Sequence, residues 1–292
     1  MEGKTMNDTI RIAAIHDLSG FGKCSLTVAL PILSASGVEC ACIPTALLST
    51  HTGGFTGYTF RDLSDEMLPI ARHWKKEGIH FDGIYSGYLA NPPQAETLAE
   101  IIDLLATDDT KIIVDPVMAD NGKYYANFDD EMTQAFKKLV RRANVLTPNI
   151  TEAAFLTGLS YRKAPHDEAY LRSLIDALSE LSPDAVIAVT GAAPEKDSVG
   201  VYAADRRTGE ECLCVKPVRE GTFHGTGDVF TSAFASLMVR GVSLRDSAET
   251  AISLVSDSID RTVARETPRR NGVDFEGALP AYIEKVKKLF CK

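Results

Sequence analysis

Phe223-His224-Gly225-Thr226-Gly227-Asp228-Val229-Phe230 is the stretch on which the reading of this chain turns. A strand-like run, residues 212–218, and a polar segment, 219–222, precede it; an apolar-rich helical run, 229–240, follows. The chain thus enters a helix through two glycines, a threonine and a carboxylate. A helix start leaves backbone N–H groups unpaired and carries the positive end of the macrodipole. Glycine lets that backbone approach an anion closely, and an acid in the same turn can orient a hydroxyl beside it. The alternative is an ordinary helix start with Thr226 or Asp228 as its N-terminal residue. A carboxylate at a helix start is stabilised as the anion, so Asp228 is expected to be a weak base. Phosphoryl transfer tolerates this, because its loose transition state depends on positioning more than on basicity.

Working outward, strands and helices alternate. Strands are expected at 9–15, 38–44, 82–85, 111–114, 144–146 and 184–189, with an antiparallel pair at 199–203 and 212–218. Helices are expected at 23–36 (closed by Gly37), 62–77, 91–106, 129–140, 151–157, 166–181, 229–240, 244–263 and 275–289. Residues 45–58, rich in Thr and Gly, read as a loop or a small hairpin flap over a site, and 120–127 as a polar loop. This alternation predicts an α/β fold with a doubly wound, mainly parallel sheet flanked by helices. No linker, repeat or low-complexity tract interrupts it, so residues 1–292 read as one domain, with the polar stretch 1–9 flexible.

Such sheets bind ligands beyond the carboxyl ends of their strands. Polar residues fall there repeatedly: Asp17 after the first strand, Thr45 after the second, then Ser86-Gly87-Tyr88, Asp115, Thr147–Asn149 and Thr190. Asp115, Asp120 and Glu152 form a group of carboxylates of the kind Mg²⁺ prefers together with water and phosphate oxygens; the alternative is helix capping and solvated loop acids. His51 lies in the flap as a candidate substrate contact. His16 reads as a hydrogen-bonding or surface residue, and Trp74 as helix surface or interface. Gly20-Phe21-Gly22-Lys23-Cys24-Ser25 nearly matches a dinucleotide fingerprint, but the third glycine is Ser25 and the second strand ends in Pro44-Thr45 without an acid. That turn therefore binds a different small molecule or simply closes the loop.

With 45% hydrophobic residues the chain can build a large core, and its net charge of -9 offers no basic surface for nucleic acid or an anionic membrane. No stretch approaches the roughly 20 apolar residues of a membrane span. The six cysteines are Cys24, Cys40, Cys42, Cys212, Cys214 and Cys291, and none has zinc-site spacing. Two C-x-C pairs put their members on one strand face. Free thiols, as in a cytoplasmic protein, are the expectation.

Three motifs in order, Asp115-Pro116-Val117-Met118-Ala119-Asp120, Thr147-Pro148-Asn149 with Glu152, and Gly225-Thr226-Gly227-Asp228, carry a resemblance. The chain resembles the ribokinase-like superfamily, and within it the pyridoxal/pyridoxamine (vitamin B6) kinase branch, over residues 12 to about 289. The resemblance implies an ATP- and Mg²⁺-dependent kinase that phosphorylates the 5′-hydroxymethyl group of a B6 vitamer. It implies Asp228 as catalytic base and the amides of Gly225, Thr226 and Gly227 as anion hole. ATP would meet Asp115, Asn149, Thr190, Thr226 and Val273, and the metal region would contain Asp115, Asp120, Thr147 and Glu152. Asp17, Ser19, Thr45, His51, Tyr88 and Asp228 would bind the acceptor. A homodimer is implied, and a monovalent cation such as K⁺ has precedent in the superfamily. His16-Asp17-Leu18-Ser19-Gly20 departs from the serine of many pyridoxal kinases towards the hydroxymethylpyrimidine kinases of thiamine biosynthesis, the alternative acceptor class. A non-catalytic ligand-binding protein on the same scaffold is the alternative of another kind.

Overall fold

The computed structural model describes residues 9–126 and 128–291. Residues 1–8, most of the stretch expected to be flexible, lie outside the described residues, as does Asn127 at the end of the expected polar loop.

The chain opens with β1 (Arg11–Ser19), α1 (Leu26–Ala35), β2 (Glu39–Leu48), β3 (Phe60–Asp62) and α2 (Ser64–Lys76). There follow β4 (Gly83–Ser86), α3 (Pro93–Leu105), β5 (Lys111–Val114), β6 (Ala119–Asp120), β7 (Lys123–Tyr124) and α4 (Asp130–Val140). Next come β8 (Val145–Leu146), α5 (Ile150–Thr157), α6 (Glu168–Leu181), β9 (Val186–Ala192), β10 (Ser198–Asp205) and β11 (Glu210–Pro217). The chain closes with α7 (Thr226–Val239), α8 (Leu244–Ala264), a short 3₁₀ turn at Arg269–Asn271, and α9 (Leu279–Phe290).

Nine strands form one sheet in the order β11-β10-β9-β8-β5-β4-β1-β2-β3. From β2 to β9 every neighbouring pair is parallel, while β3, β10 and β11 add antiparallel edges. The central strands are apolar on both faces because helices cover both. Along β1, Ile12 and Ala14 enter one core and Ala13 and Ile15 the other. The first core joins α1, α7, α8 and α9 to the sheet; the second joins α2 to α6. The chain leaves β1 for β2 on one side and returns to β4 on the other. β1 is therefore the topological switch point, where such sheets open a crevice.

Most expected elements are present, with boundary changes that matter for the site. β1 and β2 do not stop at Ile15 and Pro44 but run on to Ser19 and Leu48. Asp17 and Thr45 are thus inside strands rather than after them, because ladder bonds across the two strands continue from Leu18↔Leu47 to Ser19↔Leu48. The register slips between His16 and Leu18, a bulge that takes Asp17 out of the ladder. β9 likewise carries Thr190 within it. The expected polar loop 120–127 holds part of a two-stranded ribbon, β6 with β7. α9 begins at Leu279, after a run of turns, rather than at Phe275. The flap is a hairpin: β3 pairs back onto the end of β2. Trp74 packs its ring on Phe81 at 5.2 Å, at the rim of the second core. All six cysteines are free. Among the described residues no helix is long and apolar enough to cross a membrane.

Candidate active site

Several helices start with a side chain closing their first turn. Asp129 caps α4, Asp167 caps α6 and Ser243 caps α8. α7 starts on Gly225 with no side-chain cap, and Thr226 Oγ1 turns back to Phe223 O at 3.3 Å. Thr226 and Asp228 are thus first-turn residues of α7, as the ordinary helix-start alternative also has them. Gly225 sits at φ +79°, in the left-handed region, and a Cβ there would stand 2.0 Å from the Lys23 carbonyl oxygen. The turn is thus wedged against the segment that follows β1.

That segment supplies Ser25, a non-glycine residue at φ +56°. Holding it there costs about 1–3 kcal/mol and is a feature of functional sites. Its side chain acts on Asp17 and its backbone N–H on Asp228, each drawing the carboxyl down, so one strained residue stands beside both carboxylates. Ser19 Oγ donates to Asp17 Oδ2 at 2.8 Å. Burial pushes the Asp228 carboxyl up to about 7, the Ser25 N–H pulls it down, and the Asp17 charge adds to the rise. The expectation of a weak, fully ionised base is therefore corrected: loss of water around the carboxylate outweighs its place at a helix start, and Asp228 titrates near neutrality. Burial raises the Asp17 carboxyl as well.

A cleft of about 730 Å³ runs from this corner across the carboxyl ends of the strands. It collects Asp17, Ser19, His51, Tyr88, Asp115, Asp120, Thr147, Asn149, Glu152, Thr190 and the whole Gly225–Asp228 turn. On its metal side, Thr231 Oγ1 donates to Asp115 Oδ2 at 3.0 Å and lies 3.0 Å from Thr147 Oγ1. Glu152 is almost fully committed: its carboxylate accepts from the backbone N–H groups of Met118 (3.1 Å), Ala119 (3.5 Å) and Asn149 (2.9 Å). Asn149 closes the capping box of α5 with its Oδ1 and donates from Nδ2 to Ala119 O at 2.8 Å. Burial raises the carboxyls of Asp115 and Glu152, with Asp228 raising Asp115 and Asp115 raising Glu152. Among the described residues no three His, Cys, Asp or Glu side chains are grouped to hold a metal by themselves. Asp115 and the exposed Asp120 suit Mg²⁺ that brings phosphate oxygens and water as its remaining ligands.

Two expected residues do not line the cleft. Thr45 is fully buried; its Oγ1 donates to Tyr88 O at 3.0 Å and its carbonyl accepts from Gln94, so it holds Tyr88 from behind. Val273 is also fully buried, packed into the first core, because the chain after the 3₁₀ turn dives under α7 and α8. His51 does line the cleft, but both ring nitrogens are used. Nδ1 accepts from Gly53 N (3.1 Å), and Nε2, 2.6 Å from Arg270 O, carries the proton in that tautomer. His51 pins the flap. His16 is neither a surface residue nor a hydrogen-bonding one: it is fully buried, edge-on to Tyr85 at 4.3 Å, with neither ring nitrogen partnered. Burial lowers it to about 3, so it stays neutral. Gly87 makes room for it; a Cβ there would stand 2.1 Å from Nδ1.

Sequence reasoning gave no role to Tyr125, His224 and Thr231 around the acids, read Cys24 and Ser25 only as part of a turn that binds a small molecule or closes the loop, and missed the apolar end of the cleft altogether. That end is walled by Val199, Val218, Ile252, Val255, Ser256 and Ile259. The last four recur at i, i+3, i+4, i+7 on α8, a signal visible in the sequence but one that equally describes a core-facing stripe.

A family model for phosphomethylpyrimidine kinase matches residues 30–271. A Bacteroides thetaiotaomicron protein assigned as a phosphomethylpyrimidine kinase, solved in an orthorhombic form with pyridoxal, is 37% identical; the match covers 94% of this chain and 96% of that one at a TM-score of 0.89. Pyridoxal kinase from Lactobacillus plantarum is 30% identical over 95% of this chain and 98% of its own, at a TM-score of 0.86. The pyridoxine/pyridoxal/pyridoxamine kinase of Bordetella pertussis is 27% identical over 87% of this chain and 89% of its own length. With its nine-stranded sheet and acid-bearing glycine turn, the chain belongs to the phosphomethylpyrimidine kinase family of the ribokinase-like superfamily, on its pyridoxal kinase side, and is a kinase.

Proposed function

We propose that this protein transfers the γ-phosphoryl group of ATP to the 5′-hydroxymethyl oxygen of a vitamin B6 vitamer. The observation that carries the reading is one cleft whose lining holds both the Asp228 turn and Asp17 and Tyr88. Relatives solved with pyridoxal, or with ADP and pyridoxamine, support it.

In this reading the acceptor lies between Asp17 and Tyr88 with its hydroxymethyl group at Asp228. Asp228, ionised above about 7, takes the hydroxyl proton. A new O–P bond forms at the γ-phosphorus, the bond from that phosphorus to the β–γ bridging oxygen breaks, and ADP leaves. The N–H groups of Gly225, Thr226 and Gly227 hold the oxygens of the migrating group, fixed before it arrives. Mg²⁺, when bound, neutralises phosphate charge; Asp115 and Asp120 would hold it, with Thr147 and Thr231 keeping Asp115 in orientation. Thr190 and the α8 stripe would bound the nucleoside. A single continuous sheet supports treating the chain as one kinase domain.

The test is direct. MgATP is incubated with pyridoxal, pyridoxamine, pyridoxine and hydroxymethylpyrimidine, and ester formation is followed. The family model and the Asp17-Leu18-Ser19-Gly20 segment favour the pyrimidine as the second reading. Turnover of the pyrimidine with none of the vitamers would overturn the B6 assignment.

A further inference from the structure

The B6 vitamers share one ring and differ only in the substituent at C4, which is ortho to the C5 hydroxymethyl group that is phosphorylated. A carboxylate that flanks the catalytic base on the C4 side would meet the one position that distinguishes them. Asp17 is that carboxylate. The register shift between β1 and β2 leaves it out of the ladder, it lines the cleft, and it is 5% exposed. Ser25 stands beside both it and Asp228, its side chain drawing the one carboxyl down and its backbone N–H the other. Ser19 Oγ, at 2.8 Å, fixes its orientation.

We infer that Asp17 selects the acceptor by its C4 substituent, favouring an N–H donor there and above all the ammonium of pyridoxamine. The inference rests on the B6 reading and deepens it. Two desolvated carboxylates facing one cavity raise each other's energy when ionised. Of the C4 groups, only an ammonium adds positive charge between them; the pyridoxine hydroxyl donates one neutral hydrogen bond, and the pyridoxal aldehyde oxygen only accepts. A methyl group, as in 4-deoxypyridoxine, leaves the buried carboxylate without a partner, the circumstance in which polar sites discriminate most strongly. No other vitamer-dependent contact is needed, because the rest of the ring is common to all of them.

The experiment measures kcat/KM for pyridoxamine, pyridoxine and 4-deoxypyridoxine with the full-length protein, in pairwise competition so that the active fraction cancels. The expected order is pyridoxamine, then pyridoxine, then 4-deoxypyridoxine, with about tenfold or more between first and last, the size of one charge-assisted hydrogen bond. In Asp17→Asn the same ratio should collapse to about threefold or less, since the neutral amide lacks the charge. Equal use of all three by the wild-type protein, or an unchanged ratio in Asp17→Asn, overturns the inference. If Asp17→Asn does not fold, the wild-type order decides alone. Phosphorylation of none of the three overturns the B6 reading instead. The role of Asp17 is then read on hydroxymethylpyrimidine, whose amino group is an N–H donor in the same ortho position: unchanged binding in Asp17→Asn sinks it, and a tenfold loss supports it.

Discussion

The two ends of the cleft are built differently. The phosphate end is made of backbone and of buried side chains that bond one another: the Gly225 turn against Lys23, Asp115 with Thr231, and Glu152 on three backbone N–H groups. The acceptor end sets Asp17 and Ser19 of β1 and Tyr88 after β4 beside a hairpin flap that contributes His51. Its flap is held by His51 on Arg270 O, by Phe55 against Phe21 and His51, and by Arg270 over the Phe55 ring at 5.1 Å. The first arrangement suits a ligand that never changes, a triphosphate. The second suits a ligand that must be admitted, enclosed and released, since hairpin side chains can part without breaking the sheet.

Asp228 joins the two ends, and its replacement should have the largest effect. Asp228→Asn should lower kcat by about 10²–10⁴, the usual worth of a general base. In the wild-type protein kcat/KM should rise with pH and level off above about 7, because the ionised form takes the proton. Stability should move the other way. The folded carboxyl holds its proton up to about 7 while the unfolded one releases it near its ordinary value, so the native state binds more protons between those limits. Stability contributed by this group therefore falls as pH rises through that window. Asp228→Asn should raise the melting temperature above pH 7 and have little effect below pH ~4. A variant that is inactive but no more stable at high pH would separate the base from the buried charge.

Gly225→Ala tests the backbone side of the comparison. Its Cβ would meet a carbonyl oxygen at 2.0 Å in a left-handed conformation, so the turn must move. A shift of ~1 Å in the anion hole is expected to cost about 10²-fold in turnover. Unchanged kinetics would mean that the turn does not hold the migrating group.

Thr231→Val should be milder. It leaves the buried Asp115 without its hydroxyl donor at a cost of about 1–3 kcal/mol, read as a lower denaturation midpoint with an unchanged slope. KM for MgATP should rise and KM for the acceptor should not.

The smallest effect is expected at the flap. Phe55→Ala removes ring contacts worth about 0.5–1.5 kcal/mol and should raise the acceptor KM a few-fold while leaving nucleotide binding alone. Equal effects on both ligands would erase the division between the two ends.

Much of this was legible in the sequence because local rules wrote it. The Asp-Pro end of β5, the helix start after Asn149 and the Gly225–Asp228 helix start are each set by a few adjacent residues and lie where expected, while Glu152, expected in the metal region, closes the capping box that was the alternative reading. The errors fall where strands from distant parts of the chain meet. Polar Asp17 and Thr45 looked like strand ends, yet the pairing of β1 with β2 carries both strands past them. Val273 looked like loop and is core, and Thr45 faces Tyr88 rather than the cleft, because burial depends on what packs above a residue. Thr231 has no motif of its own, and Ser25 and His224 sit in motifs that do not announce their role; their meaning comes from the acids they touch or stand beside.

The sequence by itself determined the alternation of strands and helices, the glycine entry to α7 and the inventory of acids, since these follow from propensity, periodicity and spacing along the chain. Only the tertiary structure decided that Asp228 titrates near neutrality and that Asp17 stands beside it. Both depend on desolvation and on a contact through Ser25 between segments some 200 residues apart, and no local pattern encodes either.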